Sequence, residues 1–182
     1  MLTSSAATRR AWLGLLLALP LALMAAPAAQ AGETWAPVLY VNDGDTITVS
    51  LAGGKELVRL LGVEAPETGH SRKLERAARQ AGRSQGQEAR LGEMARDFLA
   101  ELLPRGKRVR LQGDPKAGAR DKHGRLLAYV YLEDGRLLNA LLIEQGQARA
   151  YDRCHCAWQG RFQGLEAQAR RERRGLWAQG GP

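Results

Sequence analysis

The residues best suited to chemistry lie in the segment R-L-L-G-V-E-A-P-E-T, at positions 59–68. Arg59 falls within an apolar strand pattern, where an unpaired cation is costly, so it needs an anionic partner or an open site. Its planar fork of donors suits a phosphate. Glu64 and Glu67 follow at the strand's end, where one carboxylate can hold a metal while the other accepts a proton from water. An internal Arg–Glu ion pair beside a proline turn explains the same segment without activity.

A second pair of carboxylates, Asp43 and Asp45, belongs to the motif D-G-D-T at the start of a predicted strand. Two carboxylates beside a turn can present hard oxygen ligands to a calcium ion. The turn alone explains this motif as well, because Asp-Gly is a common hairpin signal and most such pairs bind nothing.

The third segment, D-K-H-G-R at 121–125, has the composition of a tight turn. A turn that presents Lys122 and Arg125 together can hold the negative charge that develops on a transferring phosphoryl group. An exposed turn with solvated charges is the alternative. Each segment is weak alone. Together, the carboxylates, a strand arginine, a candidate base and a second arginine are the components of metal-assisted phosphodiester hydrolysis.

The elements that must position these residues follow from the apolar periodicity. Alternation and short apolar runs between turn residues predict five strands, at 38–41, 46–51, 57–63, 108–111 and 126–132. Three helical stripes consist of Met94, Phe98 and Leu102, of Leu138, Leu141 and Leu142, and of Phe162, Leu165 and Ala169, with stop signals at Pro104, Gly146 and Gly175. This α+β plan is compatible with a small closed barrel and peripheral helices. The segment 69–86 is either a long loop or a helical excursion.

The first 31 residues have the pattern of an export signal. Arg9 and Arg10 precede an apolar run at 11–26, and A-Q-A at 29–31 offers a cleavage site. Prolines break the run, so a retained membrane anchor is the second choice. The arginine pair fits an ordinary basic leader or a twin-arginine signal. We expect a cleaved signal peptide, 1–31, followed by a single domain, 32–182, in the periplasm or outside the cell.

The formal net charge of the chain is +8. A basic excess on a small protein attracts polyanions and speeds their encounter. Nucleic acid fits this charge, and so does an anionic membrane, so charge alone does not select the partner.

The only two cysteines, Cys154 and Cys156, flank His155. An oxidising compartment permits a disulfide between them, although the ring would be very tight. Two free thiols are the alternative. The loop offers too few ligands to favour a structural metal.

The combination of motifs resembles the thermonuclease family, also called staphylococcal nuclease-like domains. The resemblance runs from about Val38 to Trp177 and rests on D-G-D-T at 43–46, R-L-L-G-V-E-A-P-E-T at 59–68 and D-K-H-G-R-L-L-A-Y at 121–129. Further support comes from L-N-A-L-L-I-E-Q-G at 138–146 and G-L-W at 175–177. It implies an OB-fold, a five-stranded β-barrel with three helices. It also implies a monomeric, calcium-dependent endonuclease that hydrolyses DNA and RNA and leaves 3′-phosphates.

The resemblance also implies a role for each matching residue. Calcium ligands are the carboxylates of Asp45 and Glu64 and the backbone carbonyl of Ala65, with Asp43 supporting them. Glu67 is implied to act as general base or to orient the attacking water. Arg59 and Arg125 are implied to clamp the phosphate, and Lys122 and Tyr151 to contact substrate.

The chain departs from the family pattern in three places. Glu64 stands where the founding enzyme has aspartate, and the extra methylene tunes the metal site. The cysteine loop has no counterpart there. The stretch between Thr68 and Glu93 is longer and more basic than expected. We hypothesise that its basic residues flank the active site and grip the nucleic-acid backbone; they are Arg72, Lys73, Arg76, Arg79 and Arg83.

The sequence is also compatible with other functions. An OB barrel can hold single strands without cutting them, but such a binder needs aromatic stacking platforms, and aromatics make up only 5% of the chain. A phosphodiesterase acting on small nucleotides is a second alternative, and the basic insertion favours a polymer instead. An interaction protein with an idle site is the third.

Overall fold

The structure of the protein, a computed structural model, describes residues 33–69 and 72–178. The predicted signal peptide lies outside the described residues. Among those that are described, no helix is long and apolar enough to cross a membrane.

Seven strands, four α-helices and one short 3-10 helix make up the described chain. The strands are β1 (Thr34–Asp43), β2 (Thr46–Leu51), β3 (Gly54–Leu60), β4 (Val63–Glu64), β5 (Arg108–Gln112), β6 (Leu126–Tyr131) and β7 (Arg149–Ala150). The helices are α1 (Arg72–Gln80), α2 (Gln85–Leu102), α3 (Leu138–Glu144) and α4 (Gln159–Arg171), and the 3-10 helix is Gly175–Trp177.

Five strands close into a barrel in the order β1-β2-β3-β6-β5, with β1 also pairing with β5. The pair β3–β6 is parallel and the other four pairs are antiparallel. The remaining strands, β4 and β7, form a separate two-stranded sheet. A closed barrel leaves no unpaired edge. The predicted OB-fold is therefore confirmed.

The inner surface of the barrel is apolar, because alternate residues of each strand point inwards. Val58 and Leu60 of β3 are almost fully buried, as is Ile47 of β2. Arg59 lies between Val58 and Leu60, so its side chain points to the outer surface. The same alternation places Leu57 and Lys55 on the outer surface of β3.

Two strand and helix predictions need correction. The predicted third strand, 57–63, ends at Leu60, and Val63–Glu64 belongs to the small sheet instead. Gly62 makes the break, since its φ of +71° lies in the left-handed region and Cys156 and Phe162 fill the space where a side chain would be. The predicted count of three helices is also too low, because α1 forms in the segment 69–86.

The inward face of α2 differs from the predicted stripe. Met94 is 48% exposed, whereas Gly92, Ala95 and Leu99 are buried. A Cβ on Gly92 would lie 2.5 Å from the carbonyl oxygen of Glu67, so the helix packs too closely for a large side chain there. Gly92 and Ala95 therefore share the buried face with Leu99, whereas Phe98 and Leu102 of the predicted stripe are only partly buried against the core.

Candidate active site

Arg59 links two of the predicted metal ligands at the outer surface of the barrel. Its Nη1 lies 2.8 Å from Oδ2 of Asp45, and its Nη2 donates a hydrogen bond of 2.6 Å to Oε2 of Glu64. Pairing of Arg59 with Thr46 across β2 and β3 brings the neighbouring Asp45 within reach. Only 9% of Arg59 is exposed, so these ion pairs provide the anionic partners that a buried guanidinium requires.

Asp45 is the best-anchored carboxylate of the site. Its Oδ1 accepts a hydrogen bond of 2.9 Å from the hydroxyl of Thr46, and its Oδ2 accepts one of 2.9 Å from the Ala65 N–H. The second bond ties the β1–β2 turn to the end of β4. The structure thus brings together Asp45, Glu64 and Ala65, the three predicted calcium ligands.

Lys73 lies beside the two glutamates of the site. The first turn of α1 carries its ammonium group to Oε1 of Glu67, where it forms an ion pair, and it also lies 3.8 Å from Oε1 of Glu64. We predicted Lys73 as a contact to the nucleic-acid backbone, and the structure instead places it on the predicted general base. The ion pair of Lys73 with Glu67 could not be predicted from the sequence, because it depends on how α1 folds back towards the end of β4.

Four carboxylates cluster here, and their electrostatics favour a cation. Burial raises the pKa of Asp43, and the nearby charges of Asp45 and Glu67 raise it further. Burial likewise raises the pKa of Glu64, an effect that the attraction of Arg59 does not cancel. Burial is the main cause of both shifts, and the mutual repulsion of the four carboxylates adds to it.

A hard divalent cation fits the chemistry of this donor set. The candidate ligands are all oxygens, as calcium prefers, and four carboxylates lie here beside only two paired cations, Arg59 and Lys73. Among residues 33–69 and 72–178, however, no group of three or more histidine, cysteine or acidic side chains is arranged ready to hold a metal ion. Arg59 and Lys73 now occupy the carboxylate oxygens, so a metal would have to rearrange these ion pairs.

An open cleft of about 620 Å³ adjoins the cluster. Five of the predicted site residues line it, namely Arg59, Glu64, Lys122, Arg125 and Tyr151. Asp43, Asp45, Ala65 and Glu67 are not part of its lining. The cleft therefore collects the predicted phosphate and substrate contacts on one side of the carboxylate cluster.

Arg125 is oriented by Asp121, a residue to which we assigned no role. The Arg125 Nε donates a hydrogen bond of 2.7 Å to Oδ2 of Asp121, and the Arg125 backbone N–H donates one of 3.0 Å to Oδ1. Gly124 closes the turn with a φ of +79°, and its N–H bonds to the Asp121 carbonyl. The turn predicted from D-K-H-G-R therefore has a positioning function as well.

Other basic side chains that line the cleft were missed from the sequence. They include Lys116, Arg153 and His155. Arg153 and His155 reach the cleft from the loop after β7. Tyr151 is the first residue of this loop, and its N–H donates a hydrogen bond to the Gly62 carbonyl. Their spacing from Tyr151 was the only available signal, and spacing alone does not show which way a loop faces.

The hypothesis that five basic residues of the insertion grip nucleic acid needs revision. Lys73 is bound to Glu67, and Arg83 forms an ion pair of 2.7 Å with Glu88 in which both side chains are largely buried. Arg72, Arg76 and Arg79 lie exposed on α1. These three can contact a polyanion without breaking the ion pairs that Lys73 forms with Glu67 and Arg83 with Glu88.

Cys154 and Cys156 form a disulfide, with their Cα atoms 5.3 Å apart. Of the two predicted alternatives, the bridged one is therefore found. Both residues are buried, and Cys154 lines the cleft. Two hydrogen bonds anchor the segment after Cys156. The Asp114 carboxylate accepts one of 2.6 Å from the Ala157 N–H, and the Tyr129 hydroxyl accepts one of 3.3 Å from the Trp158 N–H.

Comparison with known proteins identifies the family. The chain matches the staphylococcal nuclease homologue family over residues 57–179. It is 32% identical to a thermonuclease of Staphylococcus hyicus over 149 residues, 81% of this chain and 78% of that protein. It is also 35% identical to the endonuclease YncB of Bacillus subtilis over 142 residues, covering 76% of this chain and 59% of YncB.

A further relative is the endonuclease YhcR of Bacillus subtilis, 31% identical over 165 residues. That match covers 86% of this chain but only 12% of YhcR, so the chain corresponds to a small part of this relative. The chain belongs to the staphylococcal nuclease homologue family, which places it among the nucleases, a class of hydrolase. The resemblance predicted from the three motifs is confirmed.

Proposed function

We propose that the protein is a calcium-dependent endonuclease that hydrolyses phosphodiester bonds of DNA and RNA and leaves 3′-phosphates. The observation that carries this proposal is the position of Arg59, held between Asp45 and Glu64 at the edge of a basic cleft that also contains Arg125. Carboxylates for a metal and guanidinium groups for a phosphate thus meet at one place.

The roles of the residues follow from this arrangement. Asp45, Glu64 and the carbonyl of Ala65 would hold the calcium ion, with Asp43 beside them. When bound, calcium would supply Lewis-acid stabilisation of negative charge on the phosphate oxygens. Arg59 lies beside these ligands and would turn its guanidinium donors to the phosphate once calcium takes the oxygens of Asp45 and Glu64 that it now pairs with.

The remaining groups act on the other bonds of the reaction. Glu67 accepts a proton from the attacking water, which requires that its ion pair with Lys73 opens first. The resulting hydroxide adds to phosphorus, the bond to the 5′ oxygen breaks, and this oxygen takes a proton from solvent water, so the products are a 3′-phosphate and a 5′-hydroxyl. Arg125, oriented by Asp121, stabilises the charge on the phosphoryl group. Lys122 and Tyr151 contact the substrate along the cleft.

We further propose that the protein acts outside the cytoplasm, in the periplasm or beyond the cell, as a monomer. The basic leader, apolar run and A-Q-A site within residues 1–31 support export. A disulfide between Cys154 and Cys156 agrees with an oxidising compartment.

Digestion of single-stranded DNA by the purified protein, with calcium or with a chelator, tests the proposal. We expect calcium-dependent cleavage that falls by about 10²–10⁴-fold in Glu67→Ala, where the base is lost. In Arg125→Ala it should fall by about 10²–10³-fold, the effect of removing one charge-stabilising donor. Arg105→Ala, an exposed arginine in the turn after α2, is the control and should cut normally.

Analysis of the products and titration with calcium distinguish the proposed nuclease from a non-catalytic binding protein. End-group analysis should find 3′-phosphates at internal cuts. If the wild-type protein binds single strands but cuts nothing at any calcium concentration, the protein is a non-catalytic OB-fold binding module instead.

A further inference from the structure

Three of the five large apolar side chains that are exposed in the described chain lie on the outer surface of the barrel. These are Trp35 at 43%, Tyr40 at 46% and Leu57 at 37% exposure. The other two are Met94 on α2 and Tyr151 in the cleft. The low aromatic content of the chain therefore hides a local concentration of exposed rings on β1.

Each of the two exposed rings on β1 has a cation lying over it. The Lys55 Nζ lies 5.8 Å from the centre of the Tyr40 ring, and the Arg108 Cζ lies 5.4 Å from the centre of the Trp35 ring. Within the described part of the chain, neither cation has a carboxylate oxygen within 4.0 Å. This differs from the neighbouring Arg110, which forms an ion pair with Glu33. Lys55 and Arg108 thus carry uncompensated positive charge.

The β3 part of this surface adjoins the candidate active site. Alternate residues of β3 share one face, so Lys55 and Leu57 lie on the same side as Arg59. Leu57 is about 6.6 Å along the strand from Arg59, a single pleat repeat. Leu57 pairs with Thr48 of β2, and Thr48 pairs with Tyr40 of β1.

This surface, which we call the β1–β3 ridge, consists of Trp35, Tyr40, Leu57, Lys55 and Arg108. From Tyr40, β1 continues for about 16 Å to Trp35, at about 3.3 Å for each residue. The ridge therefore begins next to the catalytic arginine and leads away from it across the outside of the barrel.

We infer that the β1–β3 ridge is an accessory binding site for single-stranded nucleic acid, which it holds beyond the bond being cut. Bases stack on Tyr40 and Trp35, and phosphates contact Lys55 and Arg108. Flat rings alternating with cations match a strand of alternating bases and phosphates, because every base has an apolar face and every phosphate a negative charge. Uncompensated positive charge does not favour an apolar protein partner. This inference rests on the proposed nuclease function and specifies how that function selects long strands.

Substitution of both rings tests the ridge. We expect Trp35→Ala combined with Tyr40→Ala to weaken binding of a strand of about 20 nucleotides, longer than the roughly 4–16 that one OB barrel covers. The dissociation constant, measured by fluorescence anisotropy in chelator, should rise about tenfold or more. Cleavage of a dinucleotide, which reaches only the cleft, should be unchanged.

Three further variants serve as controls. Trp35→Phe combined with Tyr40→Phe keeps the stacking surface and should bind almost normally. Met94→Ala removes an equally exposed apolar side chain outside the ridge and should bind as the wild type does. Lys55→Ala combined with Arg108→Ala should reduce the slope of log affinity against log salt by about 1.4, the value for two phosphate contacts on a single strand.

Several results would overturn the inference. Unchanged affinity of the double alanine variant for the long strand would do so, and so would an equal loss of dinucleotide cleavage. A change in oligomeric state on gel filtration with unchanged affinity would show a contact between copies of the chain instead. If the wild-type protein binds the long strand but cuts neither substrate, the proposed nuclease function is wrong, and the inference that the ridge binds single strands is unaffected.

Discussion

Lys73 places its ammonium group on the carboxylate of Glu67, the residue proposed to activate water. The same ammonium lies 3.8 Å from Glu64, a proposed metal ligand. Lys73 and a divalent cation therefore compete for the same oxygens. We expect Lys73→Ala to raise calcium affinity about three- to tenfold, since each of its two ion pairs is partly screened by solvent.

Isothermal titration calorimetry measures this effect without reference to cleavage. The rise in unfolding temperature on adding calcium should also begin at lower concentrations in Lys73→Ala. Arg76→Ala removes a nearby charge from the exposed side of α1 and serves as the control. Equal calcium affinities in Lys73→Ala and the wild type would show that Lys73 does not oppose the metal.

Gly92 of α2 determines how closely the helix approaches Glu67. A Cβ at this position would lie 2.5 Å from the Glu67 carbonyl oxygen and 2.9 Å from that of Pro66, and backbone atoms cannot easily move aside. We expect Gly92→Ala to lower the free energy of unfolding by about 1–3 kcal/mol, as overpacking does. Displacement of Glu67 should also reduce cleavage by at least tenfold, because catalysis is sensitive to small misplacements.

Gly86 offers a matched control on the same helix. A Cβ there would meet nothing within 4 Å, so Gly86→Ala should leave cleavage unchanged and raise stability by up to about 1 kcal/mol through helix propensity. Denaturant unfolding and DNA digestion distinguish the two variants. If Gly92→Ala is as stable and active as Gly86→Ala, the close packing does not position Glu67.

Patterns local in sequence were predictable, and contacts between distant segments were not. Alternation identified the barrel strands, including the strand that carries Arg59, because each strand buries one face. The motifs identified Asp45 and Glu64 as site residues, and the barrel places both carboxylates against Arg59. The ion pair of Lys73 with Glu67 was not predicted, because the sequence of the segment does not show that α1 folds back towards Glu67.

The face of α2 was mispredicted for a related reason. Met94 has the size of a core residue, yet the close approach of α2 to the Glu67 carbonyl requires Gly92 instead. Size is a local property of the sequence, whereas the separation of two backbones is a property of the tertiary structure. The exposed rings Trp35 and Tyr40 were overlooked similarly, since overall aromatic content does not reveal where the rings lie.

Asp114 makes the stability of the protein dependent on pH. Burial by itself would raise its pKa, but hydrogen bonds from the Ala157 N–H, the Tyr129 hydroxyl and the Lys116 N–H together hold the pKa below its usual value. A lowered carboxyl pKa stabilises the folded state above about pH 4, the unfolded value, and this stabilisation is lost as the pH falls through the folded value. We expect the unfolding temperature to fall in this acidic range.

Asp114→Asn tests the contribution of this carboxylate. It should lower the free energy of unfolding by about 1–3 kcal/mol at neutral pH, because buried donors lose a charged acceptor. It should also flatten the fall in stability below about pH 4. Tyr129→Phe removes one of the three donors and should flatten the same fall only in part. An acid transition identical in wild type and Asp114→Asn would assign the pH dependence to other carboxylates.

Burial and the bond to Asp114 raise the pKa of Tyr129. A raised pKa stabilises the folded state below the unfolded value of about 10 and ceases to do so as the pH rises through the folded value. Stability should therefore also decline in alkali. Tyr129→Phe, which cannot ionise, should show a smaller decline above about pH 10.

The disulfide between Cys154 and Cys156 should contribute to stability more than to cleavage. Only His155 separates the cysteines, and for so short a loop the chain-entropy model gives a stabilisation of only about 1.6 kcal/mol. The loop has other anchors, because the Cys154 N–H bonds to the Tyr151 carbonyl and the Gln159 side chain to the Asp152 carbonyl. We expect Cys154→Ala combined with Cys156→Ala to unfold at a lower temperature and still cut DNA.

Reductant provides the matching experiment on the unaltered chain. Thermal unfolding of the wild type with and without dithiothreitol should show a decrease of the same order, whereas the double alanine variant should not respond to reductant. Because Arg153 and His155 line the cleft beside the bridge, a small rise in KM for long DNA is compatible with this account. Complete loss of cleavage in reductant, with the protein still folded, would instead make the bridge essential for holding the substrate side of the cleft.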